Sequence, residues 1–487
     1  MDKYRLSEVH MSSNVLERIE KIGNKLSLPY IIFFELVLIA RMVSVYSTLP
    51  TKIDSIFTLI IIVFSGIVFF CHFFPMLLKK KKLQIEYWLV LFIVILVITT
   101  LINHSYAFTE NIKLIIWQCI FFFCVFEVGR TNNQRIFKIF EYVLLIVWTV
   151  LTSIALYLFF AHVNFSMPVK TLYYGMRIGF YENRLYGIFV DPNYACTISL
   201  ICILFAIRNI IKNKKIIQRT LYSFIALIQF SYVALSGSRS GVIQLMAATF
   251  FGVFFVYLYK NPTNRKFVAT KLVQAVLSAI VCSAIAYGGV LFVQSGYIFL
   301  GNEIHVSSPK MLDSFEKRTP ANTENNKLSA KRPDVEENTD ISNSRFKLWK
   351  SATELMRLNP LFGVTPKGFV DVAKEKIPET HIARTGQTPH SAFFYLLAAT
   401  GITGTIIFVV FLITKMVNSL RILFSNNNKD YIEFIIDNQV VLVILVSSLL
   451  ITEIVLTRRT ATFVFWLYLG KLQHTFDLMK VKLRNKK

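Results

Sequence analysis

Acidic residues are scarce in this sequence: 29 Asp and Glu stand against 53 Lys and Arg, a formal charge of +24. In a soluble chain that excess would point to nucleic acid. Here the basic residues fall in short loops between apolar runs, with none of the aromatic–basic interleaving of a nucleic-acid groove, so no nucleic-acid partner is expected. Cysteine is also sparse: Cys71, Cys119, Cys124, Cys196, Cys202 and Cys282 all lie in or beside apolar runs. None forms a C-x-x-C pair, which excludes a disulfide framework and a zinc cluster and leaves small buried hydrophobes. There is no Walker loop, no H-E-x-x-H, no G-x-S-x-G and no Asp-rich loop, so no cofactor and no metal is called for. About 25 mixed polar residues precede the first apolar run, unlike a cleavable signal peptide. Charge inside the apolar runs is rare, with Glu35, Arg41, Glu141 and Glu453 the clearest cases. The absence of paired intramembrane carboxylates and of an inverted repeat argues against an ion-coupled transporter.

Apolar sequence is plentiful. Hydrophobic residues make up 54% of the chain, Phe alone numbers 44, and mean hydropathy is +0.53. Many runs reach the ~20 residues that a bilayer requires. The expected fold is an all-α polytopic transmembrane bundle of about 12 helices. Its spans are expected near 28–48, 54–74, 84–104, 111–129, 140–160, 188–208, 219–236, 240–259, 272–293, 391–414, 438–457 and 460–472. Alternate loops are strongly basic: Lys79–Lys82, Gly129–Lys138, Arg208–Arg219, Lys260–Lys271, Lys415–Lys429 and the tail Lys480–Lys487. The positive-inside rule places these loops and both termini in the cytoplasm, and the same residues suit anionic lipid headgroups.

The chain then divides into a cytoplasmic segment 1–27, N-terminal spans 28–180, spans with outer arginines 181–293, a large extracytoplasmic loop 294–390 between helices 9 and 10, C-terminal spans 391–472 and a basic cytoplasmic tail 473–487. Within the large loop, 306–342 is too polar to bury much apolar surface. Ser344–Leu358 carries a helical stripe of Leu348, Trp349, Ala352, Leu355 and Met356, with Ser342 or Ser344 as N-cap and Pro360 beyond the end. It reads as an amphipathic helix lying on the bundle or in the interface.

The polar motifs cluster on the outward face. Arg184 precedes Asp191-Pro192-Asn193 at the start of the sixth span, where a helix N-terminus favours anions. Taken alone, a plain cap with a snorkelling Arg is the commoner reading. Ser236-Gly237-Ser238-Arg239-Ser240-Gly241 joins two spans by a tight outer turn. It offers either a solvated hairpin or an anion nest beside a guanidinium. Arg345 and Trp349 share the amphipathic helix, Trp349 as an interface anchor or as part of a site. His390 enters the tenth span as a polar cap or as a general base, and Gly401 and Gly404 lie further along that span, where they permit close helix packing. Arg458-Arg459 defies the charge rule, with Glu453 a candidate structural partner.

In this order, the motifs resemble the O-antigen ligase/polymerase superfamily of bacterial membrane glycosyltransferases. The family's R-x-x-G-x-x-x-x-P-N is matched by Arg184, Gly187, Pro192 and Asn193, and its S-R-G-like turn by Ser238-Arg239-Ser240-Gly241. Its R-x-x-x-W helix and N-P-L-x-G are matched by Arg345, Trp349, Asn359, Pro360 and Gly363, and its His-led G-x-x-G helix by His390, Gly401 and Gly404. Ser391 stands where the family has Asn, and Thr365 and Lys367 thin the glycine-rich stretch before Gly368.

The resemblance implies an undecaprenyl-diphosphate-linked oligosaccharide as donor and no metal. Arg239 and Arg345 would hold the diphosphate, with Arg184, Ser238, Asn193, Arg458, Arg459 and Trp349 in the substrate site and His390 activating the acceptor hydroxyl. Membrane lipids, a flippase and a chain-length regulator are the implied partners, and the bacterial cytoplasmic membrane is the implied location. A composition rich in Lys, Asn, Ile and Phe fits an AT-rich genome of a kind without lipopolysaccharide. That favours a capsule or exopolysaccharide repeat-unit polymerase over a ligase, with a lipid-linked oligosaccharide flippase as the alternative of another class.

Overall fold

The structure, a computed structural model, describes residues 2–78, 85–169, 175–261, 268–304, 327–330, 344–425 and 430–484. The polar stretch 306–342 therefore lies outside the described residues except for 327–330, as does the Lys79–Lys82 run.

Each expected span overlaps a helix. In chain order they are α1 (Asp2–Ala40), α2 (Thr51–Leu78), α3 (Tyr87–Ile102), α4 (Phe108–Arg130, with a π turn at Phe121–Val125), α5 (Gln134–Phe160), α6 (Pro192–Lys212), α7 (Ile216–Leu235), α8 (Arg239–Lys260) and α9 (Val268–Glu303). The outer-loop helices follow as α10 (Arg345–Leu358), α11 (Phe369–Lys376) and α12 (His381–Thr385), and then α13 (Ala392–Ser425), α14 (Tyr431–Leu450) and α15 (Thr460–Arg484). Among the described residues, nine helices are long and apolar enough to cross a membrane; α3 is apolar but short, and α7 and α15 are the other two of the expected dozen.

Four expectations need correction. First, the region expected to be a plain loop at 161–187 folds into an antiparallel sheet, β1 (Asn164–Met167), β2 (Met176–Tyr181) and β3 (Arg184–Gly187), ordered β1-β2-β3 with a bulge at Gly179/Phe180. Second, the span expected at 438–457 is the helix Tyr431–Leu450. The chain leaves the helix at Ile451 and runs irregularly to α15 while staying buried from Ile451 to Leu456. Buried irregular backbone needs internal partners, and here Trp466 Nε1 donates to the Ile454 carbonyl at 2.9 Å and the Leu456 amide to Gln118 Oε1 at 3.1 Å.

Third, the last span, expected to be short, is the centre of the bundle. Every residue from Thr460 to Gln473 is buried. Trp466 and Phe463 meet Phe34 of α1, Phe122 of α4 and Phe411 of α13 with ring centroids 4.6 to 5.8 Å apart. Fourth, the Gly401-x-x-Gly404 pair does not simply let helices approach. Gly401 takes φ 62° and ψ −166°, breaking α13.

The N-P-L-x-G segment fills that break. Ala398 and Ala399 carbonyls accept from the amides of Val364 and Thr365 at 2.9 and 3.1 Å, and the Ile402 and Thr403 amides donate to the carbonyls of Pro360 and Leu361 at 2.8 and 3.3 Å. A Cβ on Gly401 would lie 2.5 Å from the Leu361 carbonyl carbon, and one on Gly363 2.5 Å from the Ala398 oxygen. Only glycine allows this crossing and its positive φ. From α3, Thr99 Oγ1 donates to the Phe362 carbonyl at 2.7 Å and Asn103 Nδ2 to the Gly363 carbonyl at 3.2 Å.

Candidate functional site

The sheet and the start of α6 set the site's framework. After α1, the chain at 42–44 runs beside 188–190: the Ser44 amide donates to the Ile188 carbonyl at 2.7 Å and the Val190 amide to that of Met42 at 2.9 Å. This pairing holds Arg41, at the end of α1, close to Asp191. The Asp191 carboxylate caps α6 by accepting from the Asn193 amide at 2.7 Å, the role its residue type favours at an N-terminus.

Arg184 ties two motifs together. Its Nε donates to the Ser236 carbonyl at 3.0 Å and its Nη2 to Asn193 Oδ1 at 2.8 Å. Arg184 thus fastens the start of α6 to the 236–240 turn and fixes where α8 begins. In that turn Ser238 Oγ caps α8 through the Gly241 amide at 3.1 Å, and Arg239 stands exposed as the first residue of the helix.

The amphipathic helix α10 forms as expected, with Leu348, Ser351, Ala352 and Leu355 on its buried face, although the Ser344 side chain does not cap it. It rests on the bundle: the Trp349 indole lies parallel to Phe394 at 4.9 Å and its Nε1 donates to the Pro389 carbonyl at 3.0 Å. Trp349 thereby clamps the residue before His390. His390 adopts φ 49°, a left-handed conformation uncommon for a residue with a side chain and typical of strained functional positions. Among the described residues its ring makes no hydrogen bond. Burial pushes the imidazole below its ordinary value, Asp191 pulls it up, and Arg345 and Arg459 push it down. His390 therefore lies within electrostatic reach of α10, the α6 start and the α14–α15 connection.

That connection supplies the rest. Arg459 lies over the Tyr194 ring, 3.4 Å from its centroid. Arg458 is exposed, and both it and Arg41 approach the ring of Trp117, at 5.5 and 5.8 Å. The pairing of Glu453 with these arginines expected from spacing does not form. Both its carboxyl oxygens are buried without a hydrogen-bond partner, and burial pushes the group up to about 7. A cavity of about 100 Å³ opens here, lined by Arg41, Asp191, Tyr194, Glu453, Arg458 and Arg459 among others.

The structure thus brings His390, Arg345, Arg459, Arg458 and Arg184 to one end of the bundle, with Arg239 opening a helix at that same end. Tyr194, Arg41 and Lys367 join them without having been singled out by motif, and Asp191 joins them as the first residue of the Asp191-Pro192-Asn193 helix start. Lys367 is placed by its amide, which donates to Asn111 Oδ1 at 2.9 Å. Among the described residues no three of His, Cys, Asp or Glu group closely enough to hold a metal ion.

The class that fold and site define is a multi-pass helical membrane protein with a histidine set among arginines at one mouth of the bundle. Residues 224–409, which include Arg239, Arg345 and His390, match the family described as O-Antigen ligase. That match supports the resemblance to the O-antigen ligase/polymerase superfamily, whose members are glycosyltransferase-like membrane enzymes. No curated protein matches the chain.

Proposed function

We propose that the protein transfers a glycan from undecaprenyl diphosphate to an acceptor hydroxyl on the outer face of the cytoplasmic membrane, acting as the repeat-unit polymerase of a capsule or exopolysaccharide pathway. The observation that carries this reading is His390 at the bundle mouth, held at φ 49° beside the Trp349–Pro389 contact, free of hydrogen-bond partners among the described residues and within electrostatic reach of Asp191, Arg345 and Arg459. Glycosyl transfer from a lipid diphosphate needs a base for the incoming hydroxyl and fixed positive charge for the departing diphosphate.

In this reading Arg239 and Arg345 hold the donor diphosphate. Guanidinium suits the planar, two-pronged grip that phosphate oxygens invite. Arg184 and Asn193 position the 236–240 turn, with Ser238 capping α8, and Trp349 sets the His390 loop. His390 takes the acceptor proton as the hydroxyl oxygen bonds to the anomeric carbon. The bond from that carbon to the diphosphate oxygen breaks, and the electron pair leaves with undecaprenyl diphosphate.

Ladder analysis of surface polysaccharide tests the proposal in cells lacking the gene and complemented with Arg239→Ala, Arg345→Ala or His390→Ala. Loss of long chains with single repeat units retained supports a polymerase. The family's description as O-Antigen ligase favours a second reading, transfer to another acceptor; long chains that form but fail to attach would establish it. Extension of lipid-linked units by purified protein in micelles excludes a flippase.

A further inference from the structure

The arginines at the mouth fall into two groups. Arg345 and Arg239 belong to α10 and α8. Arg41 and Arg458 are drawn together elsewhere, both against the ring of the buried Trp117. Two guanidinium groups on one indole repel each other unless an anion lies between them. Arg41 is secured, its Nε to Asp54 at 2.8 Å and its Nη2 to Thr58 at 2.7 Å. Arg458, among the described residues, makes no hydrogen bond or ion pair. Arg459 and Lys367 add positive charge beside it: burial and the nearby Arg458 and Arg459 hold the Lys367 amine below its usual value, outweighing Glu110, which acts on both Lys367 and Arg458 in the opposite sense. The cavity these arginines line also contains Glu453, fully buried, with neither oxygen bonded. A protonated Glu453 can donate to a phosphate oxygen, which satisfies the acid and the cations together.

We propose that Arg41 and Arg458, with Arg459 and Lys367 beside them and Glu453 at the cavity wall, form a second phosphate-binding subsite that receives the diphosphate of the acceptor substrate. The inference rests on the polymerase reading, because a polymerase joins two lipid-linked diphosphates whereas transfer to another kind of acceptor needs only one. His390 is within electrostatic reach of both Arg345 and Arg459, one beside each subsite, so it can serve a reaction that joins an acceptor hydroxyl to a donor anomeric carbon. An anionic phospholipid headgroup offers the same phosphate chemistry, and the test separates the two sources.

Purified full-length protein is titrated with undecaprenyl diphosphate in detergent micelles, with and without excess phosphatidylglycerol, and the bound stoichiometry is read by native mass spectrometry. Two molecules per chain are expected, both retained in phosphatidylglycerol. Arg458→Gln should weaken one binding step about tenfold or more, the loss expected for a charged hydrogen bond, and Arg345→Gln the other. One molecule per chain in the unaltered protein overturns the proposal, as does displacement of the Arg458-dependent molecule by phosphatidylglycerol. Arg458 is exposed, so its substitution is not expected to disturb folding, and thermal unfolding of the variant verifies this. Because the readout is binding, a protein that binds two diphosphates but transfers no glycan would refute the polymerase reading while leaving the second subsite standing.

Discussion

The two ends of this bundle use the same side chains to opposite effect. At the end the charge rule assigns to the cytoplasm, the buried charged side chains among the described residues are paired. Arg208 lies between Glu141 and Asp437, Lys471 reaches Asp437 at 2.9 Å and Glu433 at 3.5 Å, and Tyr468 donates to Glu141 at 2.7 Å. Nearby, Lys415 pairs with Glu86 at 2.6 Å and Arg130 with Asp477 at 2.7 Å. At the other end Arg458 and Glu453 lack partners among the described residues, and Arg459 lies on an aromatic face. Charge in a membrane protein therefore does not by itself mark a site. A closed network rivets helices, and an open one is arranged for something that arrives.

Four experiments break or sharpen that contrast. The largest effect belongs to the open end. His390→Ala should slow glycan extension by ~10²–10⁴-fold, the usual contribution of a general base, with thermal unfolding unaltered; activity close to that of the parent protein would remove His390 from the chemistry. Next comes the closed end. Arg208→Ala leaves buried Glu141 with only the Tyr468 hydroxyl and Asp437 with only Lys471, and should destabilise the protein by ~3–5 kcal/mol, read as a lower melting temperature in detergent. Replacing Arg208, Glu141, Asp437 and Lys471 together with apolar residues should recover most of that loss, because the network's desolvation cost disappears with it.

Third, Gly401→Ala should destabilise by ~1–3 kcal/mol from backbone strain alone, and by more from the collision with Leu361, again measured by thermal unfolding. The smallest effect concerns pH. Asp191 raises the His390 pKa, so removing its charge lowers that pKa further, and the base form persists to more acidic pH. Asp191→Asn, which keeps the helix cap, should move the acid limb of the rate profile to lower pH. An unmoved acid limb would mean that Asp191 does not act on His390.

Hydropathy made the helices legible because lipid-facing faces must be apolar. It failed where a segment faces protein instead. α15 carries Lys471, Gln473 and Asp477 because its neighbours answer them. Apolar 451–456 read as helix although tertiary partners hold it irregular, and the resulting shift hid Asp437 one residue outside the expected span. Paired carboxylates were therefore missed, although Glu141 and Asp437 share one arginine. The sheet at 164–187 was hidden because its short strands have no long alternating pattern. Arg239, Arg345 and His390 were visible as motifs, since their type and order carried the signal. Arg41 and Tyr194 were not, because only the fold sets them beside residues hundreds of positions away.

The broken α13 imposes an order on biogenesis. Its exposed carbonyls at Ala398 and Ala399 find no partner in lipid and are satisfied only by Val364 and Thr365. Those residues leave the ribosome first, so the clasp is made before the helix it fastens. A ribosome paused between the two would hold a segment with nothing to grip, and a chain rearranged so that the helix came first would have to insert it whole and split it afterwards.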